Sequence, residues 1–206
     1  MLRAAIALAD ERGFESCTMR KVATELGVEA MSLYNHVASK EDLLDGMVDI
    51  VFGEIEDPSF DDDWRTAMRT RAVSAREVLA RHRWAVGLME GRMSPGPANL
   101  RHHNAVMGCL REAGFSFRDA VHALSVIDAY IYGFALQEKG LPFETPEESG
   151  EIVQAQQPQV PLEQFPYLME VLTELPKSGY DFAAEFEFGL DLILDGLDEF
   201  LAQGGS

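Results

Sequence analysis

The sequence predicts an all-α protein, with a small N-terminal helix-turn-helix unit followed by a larger helical domain. Three observations support this. Apolar residues recur at helical spacing along most of the chain, for example from Phe182 to Phe200. Capping-box patterns open two of these periodic segments, at Ser39 and Ser116. Between residues 18 and 40, two short helical patterns flank a single glycine, Gly27, and this arrangement is typical of a helix-turn-helix.

The N-terminal unit is predicted to contain three helices. The first runs from Leu2 to Arg12 and ends at Gly13. The second begins after Thr18, whose hydroxyl can accept an otherwise unpaired backbone N–H, and it ends at Gly27, because glycine adopts the left-handed conformation without steric cost. The third runs from Glu29 to Val37. The side chains of the second and third helices predicted to face inward are Val22, Ala23, Leu26, Leu33 and Val37.

Seven further helices are predicted, each from an apolar helical period with a capping residue or a break beside it. They cover residues 40–55, 64–81, 84–90, 100–113, 117–138, 164–174 and 181–202. The predicted N-terminal caps include Ser39, Asn99, Ser116 and Asp181, and a further turn and cap at 57–63. Helix 40–55 links the N-terminal unit to the rest, and the arginines of 64–81 are predicted to lie mostly outside. Helix 117–138 is predicted to bury Val121, Leu124, Ile127, Ile131 and Phe134. Residues 140–161 have no apolar period and are predicted to form a loop.

The outward face of the third helix differs from the usual solvent-exposed face of an amphipathic helix. A helix that only covers a core usually carries Glu and Lys on that face. Here one residue alone can carry charge near neutral pH among Ala30, Met31, Ser32, Tyr34, Asn35 and His36. Their hydrogen-bonding tips suit base edges and phosphate oxygens. The pattern therefore favours a DNA-binding surface, and the alternative is a small helical hairpin inside an ordinary bundle.

The most specific stretch runs from Gly27 to Lys40 and reads G-V-x-x-x-S-L-Y-x-H-V-x-x-K. Together with Gly13-Phe14 and the run from Thr18 to Ala23, it resembles the DNA-binding domain of the tetracycline-repressor (TetR) family. Weaker similarities at 110–115 and 132–137 suggest the tetracycline-repressor type of C-terminal domain. The resemblance implies a helix-turn-helix DNA-binding domain at 1–46 and a ligand-binding and dimerisation domain at 47–206.

The resemblance also implies a function and assigns residues to it. We expect a ligand-responsive regulator, most simply a repressor that binds a palindromic operator as a dimer and is released by a small, largely apolar molecule. The residues expected to face base edges are Ala30, Met31, Ser32 and Asn35. Those expected to hold phosphates are Tyr34, His36 and Lys40, joined by Thr18 and Arg20.

A ligand site is expected in the larger domain, again from the resemblance. The candidates are His82, Trp84, Met89, Met93, His103, Asn104, Met107, Phe134 and Gln137. Thioether and aromatic groups with a few amide or imidazole groups suit a roomy apolar pocket with sparse polar anchors. For each residue taken singly, ordinary core packing is the alternative. His102-His103 with His82 or His122 lacks the spacing of a metal site, so we expect no metal and no cofactor.

The last helix is apolar over more than half of its circumference, which suggests a partner outside its own subunit. It also carries Gly189 and Gly196, although each glycine inside a helix costs about 1 kcal/mol relative to alanine. Close approach of another helix is a physical reason to keep both, and helix 117–138 carries Gly133. We therefore expect a homodimer in which the helices near 117–138 and 181–202 form a four-helix bundle with their copies. The alternative is that both helices form the core of a monomer.

Charge is distributed unevenly along the chain, whose net charge is −18. Residues 1–50 are net −4, residues 64–118 net +7 and residues 140–206 net −13. The DNA-binding unit must therefore gather its few cations, Arg20, Lys21 and Lys40, on one face. Helix N-terminal amides would supply part of the phosphate binding, and the salt dependence of that binding should be moderate.

Other function classes find little support in the sequence. Gly-rich phosphate loops, nucleophile elbows and zinc-helix motifs are absent, so we expect no enzyme. Neither a signal segment nor a membrane-spanning run is present, and Cys17 and Cys109 have no metal or redox spacing, so a soluble, cytoplasmic protein is expected. Members of the family often carry a basic arm before the first helix, and none precedes Leu2 in this sequence. We expect either that minor-groove contacts are absent or that such an arm has been trimmed. The rival interpretation is a helical small-molecule-binding protein without DNA binding.

Overall fold

The structure is a computed structural model that describes residues 1–89, 95–141, 148, 164–177 and 180–204. Throughout these residues the regular structure is helical and no strand is present, which confirms the predicted all-α class. The helices are α1 (Leu2–Arg12), α2 (Met19–Leu26), α3 (Ala30–Leu33), α4 (Lys40–Phe52), α5 (Trp64–Arg81), α6 (Pro97–Glu112), α7 (Phe117–Gly140), α8 (Pro166–Glu174) and α9 (Phe182–Ala202). Two short 3₁₀ turns lie at Phe14–Ser16 and Leu175–Lys177.

The N-terminal unit consists of α1, α2 and α3, and its core includes the buried residues Ala5, Ile6, Val22, Ala23 and Leu33. Thr18 caps α2 by accepting the N–H of Lys21, and Gly27 ends it at a φ of 67°. That φ lies in the left-handed region, so glycine is required there. Leu26, predicted to face inward, is instead exposed, because α2 ends at this residue and the chain turns away.

The predicted third helix is shorter than expected. The α-helical part ends at Leu33, and the N–H groups of Tyr34, Asn35 and His36 each bond to the carbonyl three residues earlier. Such bonds form a tighter turn than an α-helix. Val37 is half-buried at the end of this turn.

The linking helix α4 begins as predicted and ends earlier than predicted. Ser39 accepts the N–H of Asp42, which confirms it as the N-terminal cap. The Asp42 carboxylate accepts the N–H of Ala38, one residue before the cap, instead of the N–H of Ser39 that a capping box would use. The helix stops at Phe52, and the residues that follow form a turn in which Ile55 is buried.

Two predictions for the larger domain are wrong, namely the helix at 84–90 and the start of the helix at 100–113. Residues 82–88 form successive turns instead of a short helix, with the N–H of Ala85 bonded to the carbonyl of His82. The helix predicted over 100–113 begins earlier, at Pro97, and Asn99 is not its cap. A carboxylate from α4, that of Asp49, accepts the N–H groups of Ala98 and Asn99 instead.

The remaining helices follow the predicted pattern with smaller differences. Ser116 caps α7 by accepting the N–H of Asp119, and Asp181 accepts the N–H of Ala183 at the start of α9. Val121, predicted to lie inside, is exposed, because the buried stripe of α7 follows Ala120, Ala123, Ile127, Ile131 and Phe134. Leu194 of α9 is buried. The loop predicted at 140–161 falls almost wholly outside the described residues.

The chain divides into two compact units, one formed by Met1–Lys139 with Ile193–Ser206 and one formed by Gly140–Leu192. The first unit contains α1 to α6 and nearly all of α7, and it holds every contact discussed below. The second contains α8 and the first half of α9. Among the described helices, none combines the length and the apolar character needed to cross a bilayer.

Candidate nucleic-acid interface

The predicted DNA-contacting side chains of α3 and the following turn lie at the surface. Met31 is 75% exposed and Tyr34 is 46% exposed, and Asn35 and His36 are also exposed. Ala30 and Ser32 are half-buried, while Leu33 points beneath them into the core. The surface from Ala30 to His36, which we call the reading surface, is therefore accessible from outside.

Two hydroxyl groups near the reading surface already bond to backbone. Ser32 donates its hydroxyl to the carbonyl of Glu29, and Thr18 accepts the N–H of Lys21. A hydroxyl has one donor and two acceptor positions, so each group keeps further hydrogen-bonding capacity. Arg20 and Lys40 are also exposed.

Lys40, four residues after His36 in the chain, lies over an aromatic stack. Its ammonium group lies 5.5 Å from the ring centroid of Phe14, within cation–π range. The Phe14 ring in turn stacks on Trp84 at 6.5 Å between centroids. Trp84 lies just after α5, so this stack connects the N-terminal unit to the turns that follow α5.

The linking helix α4 is held against the start of α6 by polar and apolar contacts. The Asp49 carboxylate accepts the N–H of Asn99 at 2.9 Å and that of Ala98 at 3.3 Å, and it thus satisfies amides that have no partner within the helix. Phe52, the last residue of α4, lies 5.8 Å from the ring centroid of His103. A Cβ added at Gly96 would overlap the Asp49 carboxylate, so glycine there permits the close approach.

A buried charged network lies where α5, α6 and α7 meet. Arg71 of α5 is 1% exposed and its side chain pairs with Asp128 of α7 at 2.6 Å. The Arg71 Nε also donates to His102 Nε2 at 3.0 Å. His102 Nδ1 donates to Asp57, which follows α4, at 2.9 Å. We call these four residues the Arg71 network.

The network determines the protonation state of His102. Because Arg71 can only donate, Nε2 of His102 must accept, and the proton of the neutral ring lies on Nδ1, where it is donated to Asp57. Burial and the positive charge of Arg71 lower the pKa of His102 to about 4, despite the opposing hydrogen bond and charge of Asp57. His102 is therefore neutral at physiological pH.

Sequence reasoning missed the Arg71 network, although the apolar periods contain a signal. Arg71 lies three residues after Met68 and four before Ala75, and both of these are buried. Asp128 lies between Ile127 and Ile131 on the buried stripe of α7. A charged residue inside an apolar period is a candidate for a buried ion pair, whereas we predicted arginines mostly outside.

The structure separates the predicted ligand residues into different surroundings. His82 and Trp84 bond to Asp10 of the N-terminal unit, while His103 Nδ1 bonds to the carbonyl of Asn99. Met89 and Phe134 are buried, Met107 is half-buried, and Asn104 and Gln137 are exposed. Met93 lies outside the described residues. Their role in ligand binding stays a prediction, as do the expected absence of catalysis, of a cofactor and of a metal.

A cavity of about 360 Å³ opens elsewhere, between the residues before α5 and the end of α6. Its lining combines aromatic and acidic groups with a thiol and is formed by Ser59, Phe60, Asp62, Asp63, Trp64, Cys109, Glu112 and Ala113. Burial, with the negative charges of Glu112 and Asp63, raises the pKa of the Cys109 thiol. None of these lining residues belongs to the predicted ligand set.

Comparison with known families covers nearly the whole chain. Residues 1–47 match the family described as bacterial regulatory proteins, tetR family. Residues 57–201 match the family described as tetracyclin repressor-like, C-terminal domain. The first match contains the reading surface, and the second contains the Arg71 network.

Individual relatives agree with these matches. The chain is 35% identical to the tetracycline repressor protein class A from transposon 1721 of Escherichia coli, over 96% of this chain and 88% of that protein. It is 33% identical to the HTH-type transcriptional repressor DrrR1 of Streptomyces coeruleorubidus, over 98% and 77%. The fold is similar to that of ActR from Streptomyces coelicolor in complex with actinorhodin, with a TM-score of 0.78, 26% identity and coverage of 100% and 96%.

Proposed function

The chain belongs to the tetracycline-repressor (TetR) family and is a ligand-responsive transcriptional repressor, and from this premise we propose that it binds a palindromic operator as a homodimer and leaves it when a small, largely apolar molecule binds. The observation that carries this proposal is the reading surface. Its side chains at Met31 and from Tyr34 to His36 are exposed, and it contains no acidic residue. It follows the turn at Gly27, which separates α2 from α3. Residues 1–46 then read DNA, and residues 47–206 bind the ligand and dimerise. Such a regulator acts in the cytoplasm.

In this proposal the reading surface enters the major groove. Met31 contacts a thymine methyl group, and Ser32 and Asn35 hydrogen-bond to base edges, with Ala30 beside them. The exposure of Met31 and Asn35 supports these roles. The phosphate contacts are made by Tyr34, His36 and Lys40, with Thr18 and Arg20.

Replacing Tyr34 with Ala is expected to weaken operator binding about tenfold, the size of one hydrogen bond to a charged group. Tyr34 is exposed and its ring is not part of the buried core, so folding should be unaffected. Tyr34→Phe removes only the hydroxyl and is the matched control, expected to show most of the same loss. A gel-shift titration on one operator duplex measures both, and unchanged affinity in both variants would remove the phosphate role.

The ligand response is proposed to pass through α4. A molecule bound beside His103 of α6 would shift α6, against which α4 is held by Asp49 and Phe52. A change in the tilt of α4 alters the spacing of the two reading surfaces, which must match major grooves about 34–36 Å apart. The ligand acts only if it binds the released form better than the DNA-bound form.

The homodimer is proposed to form through the helices near 117–138 and 181–202. Apolar side chains on these helices are exposed, namely Val126, Leu136, Phe188 and Leu192. A Cβ added at Gly133 or Gly196 would meet nothing within 4 Å, so both glycines leave space for another helix. A single helix-turn-helix unit reads too few base pairs for tight specificity, which also favours two copies.

Selection from a pool of random duplexes tests the DNA-binding proposal without knowledge of the target genes. We expect a palindromic sequence to be enriched, and light scattering to give the mass of a dimer in the complex. A panel of apolar compounds should then contain some that release the protein from this duplex. Failure to enrich any sequence, with compounds still bound, would identify the chain as a small-molecule-binding protein without DNA binding.

A further inference from the structure

His82 lies between two carboxylates that belong to different parts of the chain. Its Nδ1 is 2.9 Å from Oδ1 of Asp10 in α1, and its Nε2 is 3.1 Å from Oε2 of Glu54, just after α4. The imidazole is largely buried. We call this arrangement the His82 bridge. It uses both ring nitrogens at once.

The chemistry of the partners requires a doubly protonated ring. An ionised carboxylate only accepts hydrogen bonds, so each ring nitrogen of His82 must donate. A neutral imidazole has one N–H and can satisfy only one of the two carboxylates. The bridge is therefore complete only when His82 is an imidazolium, and both hydrogen bonds are then charge-assisted.

Cations also lie near the bridge in the part of the chain that the structure describes. Arg81, at the end of α5, pairs with Glu54 at 3.4 Å, and Arg83 follows His82 in the chain and is exposed. Lys40 lies over the ring of Phe14, which is separated from His82 by the ring of Trp84. Partial burial acts to raise the pKa of Glu54, but the hydrogen bonds and charges of His82 and Arg81 outweigh it and lower that pKa.

The bridge joins the part of the chain that carries the reading surface to the part that follows it. Asp10 lies within residues 1–47, whereas His82 and Trp84 lie within residues 57–201. Trp84 Nε1 donates to the same Asp10 oxygen at 2.7 Å, and its ring stacks on Phe14. Apart from α4, these contacts are a second connection between the two parts.

We propose that protonated His82 is a positioning residue, which holds the reading surface in place by bridging Asp10 and Glu54, and that loss of its proton releases this connection. A DNA-binding unit held in one orientation loses less freedom when it docks on DNA, so binding is tighter. Operator affinity then falls as the pH rises and the ring loses its second N–H. The pH would thus affect DNA binding through His82, which does not contact the DNA. This effect is separate from the ligand response.

Trp84 reports the state of the bridge without any DNA. The chain contains two tryptophans, so Trp64→Phe leaves Trp84 as the only one. Its ring centroid is 6.3 Å from that of His82, and an adjacent imidazolium quenches indole emission. Titrating the full chain from acid to alkaline pH should give a gain in intensity and a red shift as His82 loses its proton and Trp84 loosens from Asp10.

The matched variants in this titration are His82→Gln and His82→Arg. Glutamine is neutral and arginine is charged throughout, so neither should show the transition. A transition of unchanged size and midpoint in either variant, or a flat profile in the parent protein, would overturn the proposal. If one variant does not fold, the other decides the question.

Operator affinity provides the second readout, measured in a His36→Gln background that replaces the ionisable ring of a proposed phosphate contact with a neutral amide. With His82 present, the Kd should rise about tenfold between the low-pH and high-pH ends of the Trp84 transition, the size of one charged hydrogen bond. His82→Arg should keep tight binding at both pH values, and His82→Gln should bind weakly at both. Equal pH dependence in all three proteins would overturn the positioning role. If no protein binds any duplex, the proposed function fails, and the Trp84 titration still decides the bridge.

Discussion

Replacing Asp128 with Asn is expected to lower the free energy of unfolding by about 3–5 kcal/mol, because the substitution leaves the charge of Arg71 buried without its counter-ion. Arg71 is almost fully inaccessible and its pair with Asp128 is short, at 2.6 Å. Arg71 also bonds to His102, which is neutral and cannot neutralise it. Urea unfolding of the variant and the parent protein at pH 7 measures the difference.

The double variant Arg71→Met with Asp128→Leu is the control for this prediction. Both charges are then gone, and apolar side chains of similar volume fill the space, so stability should be close to that of the parent or higher. A loss in Asp128→Asn below about 1 kcal/mol would show that water reaches Arg71. If the double variant is stable and binds operator but no longer responds to ligand, the charges serve the response instead of the fold.

Acidification is expected to destabilise the protein by about 3 kcal/mol through His102 alone, when the pH falls from above 6.5 to below 4. The pKa of His102 is about 4 in the folded protein, below its ordinary value of 6.5. In the unfolded chain the ring therefore takes up a proton at a higher pH than in the folded chain. The stabilisation is fully present above pH 6.5 and is lost as the pH falls through 4.

Comparison with His102→Gln isolates this contribution from the many carboxylates that titrate in the same range. Glutamine can donate to Asp57 and accept from Arg71 without titrating. Unfolding at pH 7 and at pH 5, above the isoelectric point of about 4.5, avoids precipitation. The parent protein should lose about 2 kcal/mol more than the variant between these values. Equal losses would mean that His102 is charged in the folded protein.

The N-terminal unit was largely predictable because its signals are local. Thr18, Gly27 and Ser39 act on backbone groups within a few residues of themselves, so their positions along the chain are sufficient to place the helix ends. The end of the third helix was not predictable in this way. Tyr34 to His36 adopt a tighter turn, although their sequence is compatible with a longer helix.

The larger domain departed from prediction where one element acts on another. The cap of α6 is Asp49, which comes from α4 and lies about fifty residues earlier in the chain. Arg71 is buried because His102 and Asp128 reach it from two other helices. Spacing within α5 or α6 contains no information about such partners.

The sequence by itself determined the all-α class, the helix-turn-helix and the family, since these depend on periodicity, caps and a motif contained in one short stretch. Only the tertiary structure decided that His82 bridges Asp10 and Glu54 and that His102 is neutral beside Arg71. The physical reason is that a protonation state depends on burial and on the charges within a few ångströms. Those charges come from residues far apart in the chain, which folding alone brings together.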